Sequence, residues 1–243
     1  MNPGTKGDVT MNACITGRAA GALALVLLLA FPGTGNAQQD DYAITGGTVV
    51  TVSGGEIPNG TVLVQDGVIT VVGTNVTIPE GVERFDASGK YVYPGLIDGG
   101  TGLGLQEAGG MDGAVDNFEL GPYNPHIEAY IGIDHTSEIL GVQRVGGFTT
   151  VVTGLNGRGE PIPGFDSMID LWGWTPQAMV VEKRIGLRIN WNEDRAEDLK
   201  TYFLEAKAYA ARDRMFEAGE LSEFEWDVRM DGLIPVVRGD VPV

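Results

Sequence analysis

The stretch of the chain best suited to chemistry is an apolar run that ends in an acid and a glycine-rich loop. Residues 91–97 are largely apolar, Asp98 follows them, and residues 99–133 are rich in glycine without a clear periodicity. This pattern is typical of a buried parallel strand whose carboxyl end lies at a functional site. A loop of this length within a compact domain is usually functional or mobile. It contains side chains of the types that ligate metals, namely Asp112, Asp116, Glu119 and His126.

The chain has only two histidines, His126 and His135, so it does not contain a histidine-rich zinc site. His126 follows the turn-forming pair Asn124-Pro125, and we interpret it as an exposed or capping loop histidine in preference to a metal ligand. His135 lies at the start of a predicted helix, where a protonated imidazole would oppose the helix dipole. Both remain candidate metal ligands. The sequence assigns no catalytic residue and no organic cofactor site.

Two further groups of residues have the right types for binding or catalysis. Trp172 and Trp174 could bind a sugar or an aromatic substrate if they were exposed. We expect them instead to be buried and to pack against the rest of the domain. Asp166 and Asp170 lie four residues apart, which is weak support for acid–base catalysis. The chain has no Gly-x-Ser-x-Gly and no His-Glu-x-x-His motif.

The elements before this stretch are predicted to be short β-strands. Residues 41–90 alternate between β-branched runs and turns, with Asn59-Gly60 and Asp66-Gly67 as the strongest hairpin turns. Because a two-stranded ribbon is not stable alone, these strands must form a small sheet or sandwich that packs on another element.

The elements after it are predicted to alternate between helix and strand. Apolar spacing predicts helices over residues 134–145, 193–218 and 220–233, the first capped by Asp134 or Thr136. Residues 148–152 read as a β-branched strand and residues 239–243 as the beginning of another strand. Residues 153–192 read as an irregular excursion, with a loop over 157–161 and a candidate strand over 167–171.

Residues 93–98, Tyr-Pro-Gly-Leu-Ile-Asp, resemble the end of the first barrel strand in metal-dependent amidohydrolases, especially the imidazolonepropionase-like group. Residues 66–73 and 86–98 resemble the same family. The resemblance implies an α/β fold with a small N-terminal β-sandwich subdomain followed by an incomplete TIM-type (β/α) barrel. The implied domains are a signal peptide over 1–37, the β-rich subdomain over 38–90 and the partial barrel over 91–243.

In that family the first strand leads into a His-x-His pair that binds a divalent metal, most often zinc, which activates a water for attack on a C–N bond. The two equivalent positions here are Gly100 and Gly102, which have no side chain to ligate a metal. We therefore expect residues 38–243 alone to bind no metal stoichiometrically and to hydrolyse no amide.

The resemblance covers only the first part of the family's domain, so we expect this chain to be a truncated form. The full-length protein would hydrolyse C–N bonds in a small-molecule or peptide-like amide. A catalytically inactive binding or partner subunit is the alternative, and a free-standing secreted binding module is a third hypothesis. Whether the protein forms oligomers is left open.

Composition and charge restrict the partners and the location. The net charge of -17 disfavours nucleic acid and anionic membrane surfaces. Arg18, the apolar run 19–31 and the small residues 35–37 form a secretory signal peptide, cleaved near Ala37, with no stable membrane anchor. Cys14, the only cysteine, lies within it, so the mature chain has no disulfide. These observations predict an exported protein of a bacterial periplasm.

Overall fold

The computed structural model describes residues 41–106 and 115–243. The predicted signal peptide, Cys14 and Asp112 lie outside the described residues. Within the described part, no helix is both long enough and apolar enough to cross a membrane.

The N-terminal region forms one five-stranded sheet. Its β-branched runs become strands, and Asp66-Gly67 forms the predicted hairpin turn, with positive φ at both residues, 50° and 75°. The hairpin turn predicted at Asn59-Gly60 was wrong: both residues lie inside the strand Glu56–Gln65, although Asn59 has a positive φ of 50°. The strands are β1 (Tyr42–Val50), β2 (Glu56–Gln65), β3 (Val68–Gly73), β4 (Glu83–Asp86) and β5 (Tyr91–Val92).

The strand order in this sheet is β3-β2-β1-β4, and β5 also pairs with β1. The β1–β2 and β2–β3 pairs are antiparallel, whereas β4 and β5 run parallel to β1. The prediction of a β-sandwich was wrong for the described residues, because β4 and β5 extend the first sheet along β1 and do not build a second layer. Val49, Val62 and Val64 form its small core.

The second sheet has the order β6-β7-β8-β9. Its strands are β6 (Leu96–Thr101), β7 (Phe148–Thr153), β8 (Gly164–Asp170) and β9 (Val180–Arg188). Helix α1 (Glu138–Val145) lies between β6 and β7 in the chain, and these two strands are parallel. This β6–α1–β7 unit is the part of the predicted barrel that the described residues contain.

The second sheet then departs from the predicted barrel. The β7–β8 and β8–β9 pairs are antiparallel, because each connection is short: ten residues without a helix in the first, and nine residues with the single turn Pro176–Met179 in the second. The excursion predicted over 153–192 therefore contains two strands, and the first of them overlaps the run 167–171. The strand predicted from residue 239 is absent, although the Leu187 N–H donates to the Pro242 carbonyl at 2.9 Å.

Strand β6 is not the buried strand that its sequence suggested. Among the described residues it pairs with β7 on one side only, and Leu96 and Ile97 are 53% and 61% exposed. Pro94 and Gly95 interrupt the apolar run 91–97, which forms β5 in the first sheet and the start of β6 in the second. An apolar run also does not indicate how many neighbours a strand has.

The helices beyond β8 are α2 (Pro176–Met179), α3 (Ala196–Glu217) and α4 (Val228–Arg238). The long helix predicted over 193–218 is confirmed, with a short 3-10 turn (Glu193–Arg195) before it, capped by Asn192. Helix α1 begins after Ser137, whose hydroxyl accepts from the Ile139 N–H, so neither Asp134 nor Thr136 is its cap.

Two apolar clusters hold the second sheet and its helices together. Val151 and Ile169 of the sheet pack with Leu140 of α1 and Met179 of α2. Phe165 and Leu187 of the sheet pack with Leu199 and Ala206 of α3 and Leu233 of α4. The sheet is thus covered by helices, which fixes the loops that follow β6 and β7.

Candidate functional site

The carboxyl end of β6 carries the residues that the resemblance singled out. The Asp98 carboxylate accepts a hydrogen bond from the Gly100 N–H at 3.1 Å. A Cβ at Gly100 would meet nothing within 4 Å, and one at Gly102 would lie 3.1 Å from Nδ2 of Asn156. The backbone therefore has room for a side chain at Gly100, whereas a side chain at Gly102 would require the Asn156 amide to move. Glycine supplies no ligand at either position.

The structure places the two histidines in different surroundings. His126 is half-buried near α4: a Cβ at Gly232 would lie 3.0 Å from the His126 backbone nitrogen. Its Nδ1 is buried and has no hydrogen-bond partner within the described residues. His135 is exposed beside α1 and faces the cavity that Trp172 lines.

Burial is the main reason why the pKa of His126 lies below its usual value, and the Arg229 cation lowers it further. The carboxylates of Glu119 and Asp227 act in the opposite direction. A neutral imidazole is the form that ligates metals, yet among the described residues His126 belongs to no group of three or more His, Cys, Asp or Glu side chains that could hold a metal ion.

The described residues do not fit the metal centre that the resemblance implies. Across 41–106 and 115–243, no group of three or more His, Cys, Asp or Glu side chains is arranged to hold a metal ion. A catalytic zinc needs three protein ligands. Asp116 and Glu119 line a small cavity near Leu105 and are not joined there by either histidine.

The loop after β7 approaches Gly102 and continues into a polar cleft. Asn156 lies against Gly102, and the Gly157 N–H donates to the Asn117 carbonyl at 3.0 Å, which ties this loop to the one after β6. Asn190 Nδ2 donates to the Glu160 carbonyl at 2.9 Å. In βα-barrel proteins, residues at the carboxyl ends of strands form the active site.

This cleft, which we call the arginine cleft, has a volume of about 580 Å³. It is lined by Tyr123, Arg158, Glu160, Arg195 and Asp198, together with intervening Gly and Pro residues.

Both arginines of the cleft are held in position. The Arg195 Nη1–H donates to the Gly159 carbonyl at 2.5 Å. The Arg158 guanidinium carbon lies 3.8 Å from the Phe118 ring centroid, and the Arg158 backbone N–H donates to the Glu160 carboxylate. Two positioned guanidinium groups can bind a carboxylate or a polarised carbonyl oxygen.

Asp166 and Asp170 do not form an acid–base pair. Arg188 binds Asp166 with two hydrogen bonds of 2.8 Å, and Asp170 accepts from the Thr150 hydroxyl at 2.8 Å. Each carboxylate thus has its own structural partner on a neighbouring strand.

The expectation that the tryptophans are buried was wrong. Trp172 is 64% exposed and Trp174 is 79% exposed. The turn between β8 and α2 places both tryptophan side chains outside the apolar cluster. Leu171 and Met179 are the residues of this region that belong to the cluster.

Nothing in the sequence distinguishes Asn156, Arg158, Asn190 or Arg195 as functional residues. The glycines and proline of segment 157–161 predict a loop, but arginines in loops are common. Only the tertiary structure shows that Arg158 and Arg195 line one cleft, and that Asn156 and Asn190 lie beside the loop that carries Arg158.

Comparison with known proteins points to amidohydrolases. No protein-family model matches the chain. The chain is 41% identical over 78 residues to a D-hydantoinase from Geobacillus stearothermophilus, covering 32% of this chain and 16% of that protein. It is 47% identical over 55 residues to a dihydroorotase from Citrifermentans bemidjiense, covering 23% and 13% respectively.

Among solved structures, an amidohydrolase from Thermotoga maritima shares the fold, with a TM-score of 0.76 and 24% identity. The match covers 83% of this chain and 57% of that one. The chain therefore spans little more than half of this structural relative and about a sixth of the D-hydantoinase. Part of the chain is thus similar in sequence to a D-hydantoinase and a dihydroorotase, and most of it shares the fold of an amidohydrolase.

Proposed function

We propose that the intact natural protein is an exported hydrolase of C–N bonds in small cyclic or peptide-like amides. The observation that carries this proposal is the arginine cleft between the loops that follow β6 and β7, in a chain similar to a D-hydantoinase and to dihydroorotases. The motif over residues 93–98 supports an imidazolonepropionase-like subgroup within the superfamily.

In this proposal the cleft binds and orients the substrate. Arg158 and Arg195 present donors to an anionic or carbonyl oxygen of the amide, and the Tyr123 ring provides an apolar wall. Zinc is the metal that the superfamily resemblance suggests, but the described residues do not fit it, and we assign no step to a metal.

The role of the cleft is tested by kinetics on the intact natural protein with hydantoin and dihydroorotate as substrates. Arg195→Met should raise KM roughly tenfold, since one charge-assisted hydrogen bond is lost. Arg212→Met is the matched control, because Arg212 is also an exposed arginine but faces a different cavity. Equal effects of the two substitutions would contradict this placement of the substrate.

A second candidate is a catalytically inactive, exported relative that serves as a binding or partner subunit. Gly100 and Gly102 favour it, since they lack the side chains of the family's first metal ligands. Elemental analysis of the intact protein distinguishes the candidates: stoichiometric zinc counts strongly against the inactive subunit.

We also propose export to a bacterial periplasm with cleavage near Ala37. The mass of the N-terminal peptide of the mature natural protein tests this directly. A mature protein that begins at Met1 or Met11 would contradict it.

A further inference from the structure

A second cavity lies between α1 and the turn that joins β8 to α2, and it shares no lining residue with the arginine cleft. Its volume is about 330 Å³, within the range of small-molecule sites, roughly 300–1,000 Å³. Trp172 and Trp174 form one side of it, with ring centroids 5.8 Å apart and planes at 63°. We call it the tryptophan cavity.

The aromatic side of the cavity is held in place by contacts of its own. The Arg144 Nη1–H donates to the Leu171 carbonyl at 2.7 Å. The Arg144 guanidinium carbon lies 4.7 Å from the centroid of a Trp172 ring. This cation–π contact leaves Trp174, the more exposed of the two, with ring surface open to solvent.

Two glycines shape the opposite parts of the wall. A Cβ at Gly173 would lie 2.5 Å from Met179 Cγ, so the turn can close on α2 only because this residue has no side chain. A Cβ at Gly141 would meet only Arg144 Nη2, at 3.6 Å. Gly141 therefore keeps the helix side of the cavity open, above a buried floor of Leu140, Leu171 and Met179.

The rim of the cavity carries hydrogen-bonding groups of both kinds. Arg144 supplies donors, the Glu138 carboxylate supplies acceptors, and the His135 imidazole can do either. The Thr136 hydroxyl donates to the Asp134 carboxylate at 2.6 Å and so offers a ligand only an acceptor. A ligand with hydroxyl groups matches such a rim, because each hydroxyl donates and accepts.

We infer that the tryptophan cavity binds a neutral sugar ring stacked on Trp174. The apolar face of a sugar ring covers an exposed indole, while its hydroxyls reach Glu138 and Arg144. An aromatic carboxylate would also stack, but Arg144, the cation of the rim, already contacts the Leu171 carbonyl and the Trp172 ring, whereas Glu138 and the net charge of -17 oppose an anion. The charge pattern thus favours the neutral ligand.

Tryptophan fluorescence titration of the intact natural protein tests this inference with three probes: maltotriose, cellotriose and tri-N-acetylchitotriose. At least one should change the emission saturably at millimolar concentration. Trp174→Ala should weaken that binding roughly tenfold or more, because the stacking surface is lost. Trp226→Ala is the matched control, since Trp226 is 66% exposed and lies outside the cavity.

A second variant separates sugar contacts from a general loss of structure. Glu138→Gln keeps the shape of the side chain and removes its charge, and it should weaken sugar binding several-fold with an unchanged melting temperature. Absence of binding by all three sugars would overturn the inference. So would preferential binding of indole-3-acetate, or equal effects of Trp174→Ala and Trp226→Ala. Amide hydrolysis is measured separately, so neither result depends on the proposed activity.

Discussion

Asp166 of β8 and Arg188 of β9 form a two-point ion pair across neighbouring antiparallel strands. Nε and Nη2 of the arginine each lie 2.8 Å from a different carboxylate oxygen. The side chains are only 18% and 24% exposed. The pair lies directly against Gly154, at the point where β7 ends and the loop toward the arginine cleft begins.

Neutralising the carboxylate of this pair should destabilise the fold. Asp166→Asn leaves the Arg188 charge partly buried without its counter-ion, and we expect a loss of about 2 kcal/mol in the free energy of unfolding. Urea denaturation measures it. Glu197→Gln is the control, since its pair with Lys200 is exposed and 3.3 Å long, and it should change stability by less than about 0.5 kcal/mol. Similar losses in both variants would contradict the assignment.

Gly154 is predicted to be needed for the same pair. A Cβ there would lie only 1.8 Å from Asp166 Oδ1 and 2.7 Å from Arg188 Nη2. Gly154→Ala must therefore displace the pair, with an expected cost of about 2 kcal/mol or more. At Gly99 a Cβ meets nothing within 4 Å, so Gly99→Ala should be nearly neutral in the same urea titration.

Tyr202 is predicted to limit stability at high pH. Burial, more than the nearby Asp227, raises its pKa from 10.0 to about 12. The folded chain thus holds this proton more tightly than the unfolded chain. The contribution to stability is complete below pH 10 and is lost as the pH rises toward 12. Tyr202→Phe should flatten this part of the pH–stability curve measured by thermal melting.

The neutral-pH effect of Tyr202→Phe gives a further check. The Tyr202 hydroxyl has no hydrogen-bond partner in the described structure, so its removal should cost less than about 0.5 kcal/mol. Tyr209 differs because its hydroxyl accepts from the Asp227 N–H at 3.2 Å. Tyr209→Phe should cost about 1 kcal/mol. The reverse order of these two costs would refute the hydrogen-bond assignment.

His126 is predicted to weaken the fold in acid. Since its pKa is lowered in the folded chain, its contribution to stability is present above pH 6.5 and is lost as the pH falls through the lowered value. Arg229→Gln removes one cause of the shift and should raise the pKa of His126 in an NMR titration. His135, exposed on another surface, serves as the reference resonance. An unchanged titration of His126 would show that Arg229 does not act on it.

Local sequence rules predicted much of this fold. Asp66-Gly67 gave the hairpin between β2 and β3, and the apolar spacing of Leu199, Tyr202 and Ala206 gave α3. The family resemblance predicted the β6–α1–β7 unit. These features depend on residues that are close together in the chain.

The errors concern long-range pairing. Nothing near Glu83 or Tyr91 indicates that β4 and β5 both pair with β1, so a second layer was predicted where one sheet forms. The exposure of Trp174 follows from the direction of the turn after β8, which composition does not encode. Arg158 and Arg195 share a cleft through tertiary contacts alone, and the sequence did not identify them.

The most direct test of the proposed function is turnover by the intact natural protein. Ring opening of hydantoin and dihydroorotate would be followed by the appearance of the open-chain product. We expect product to form from at least one of the two substrates, at a rate proportional to the enzyme concentration. A protein that melts cooperatively and yields no product from either substrate would contradict it, and would favour the inactive subunit.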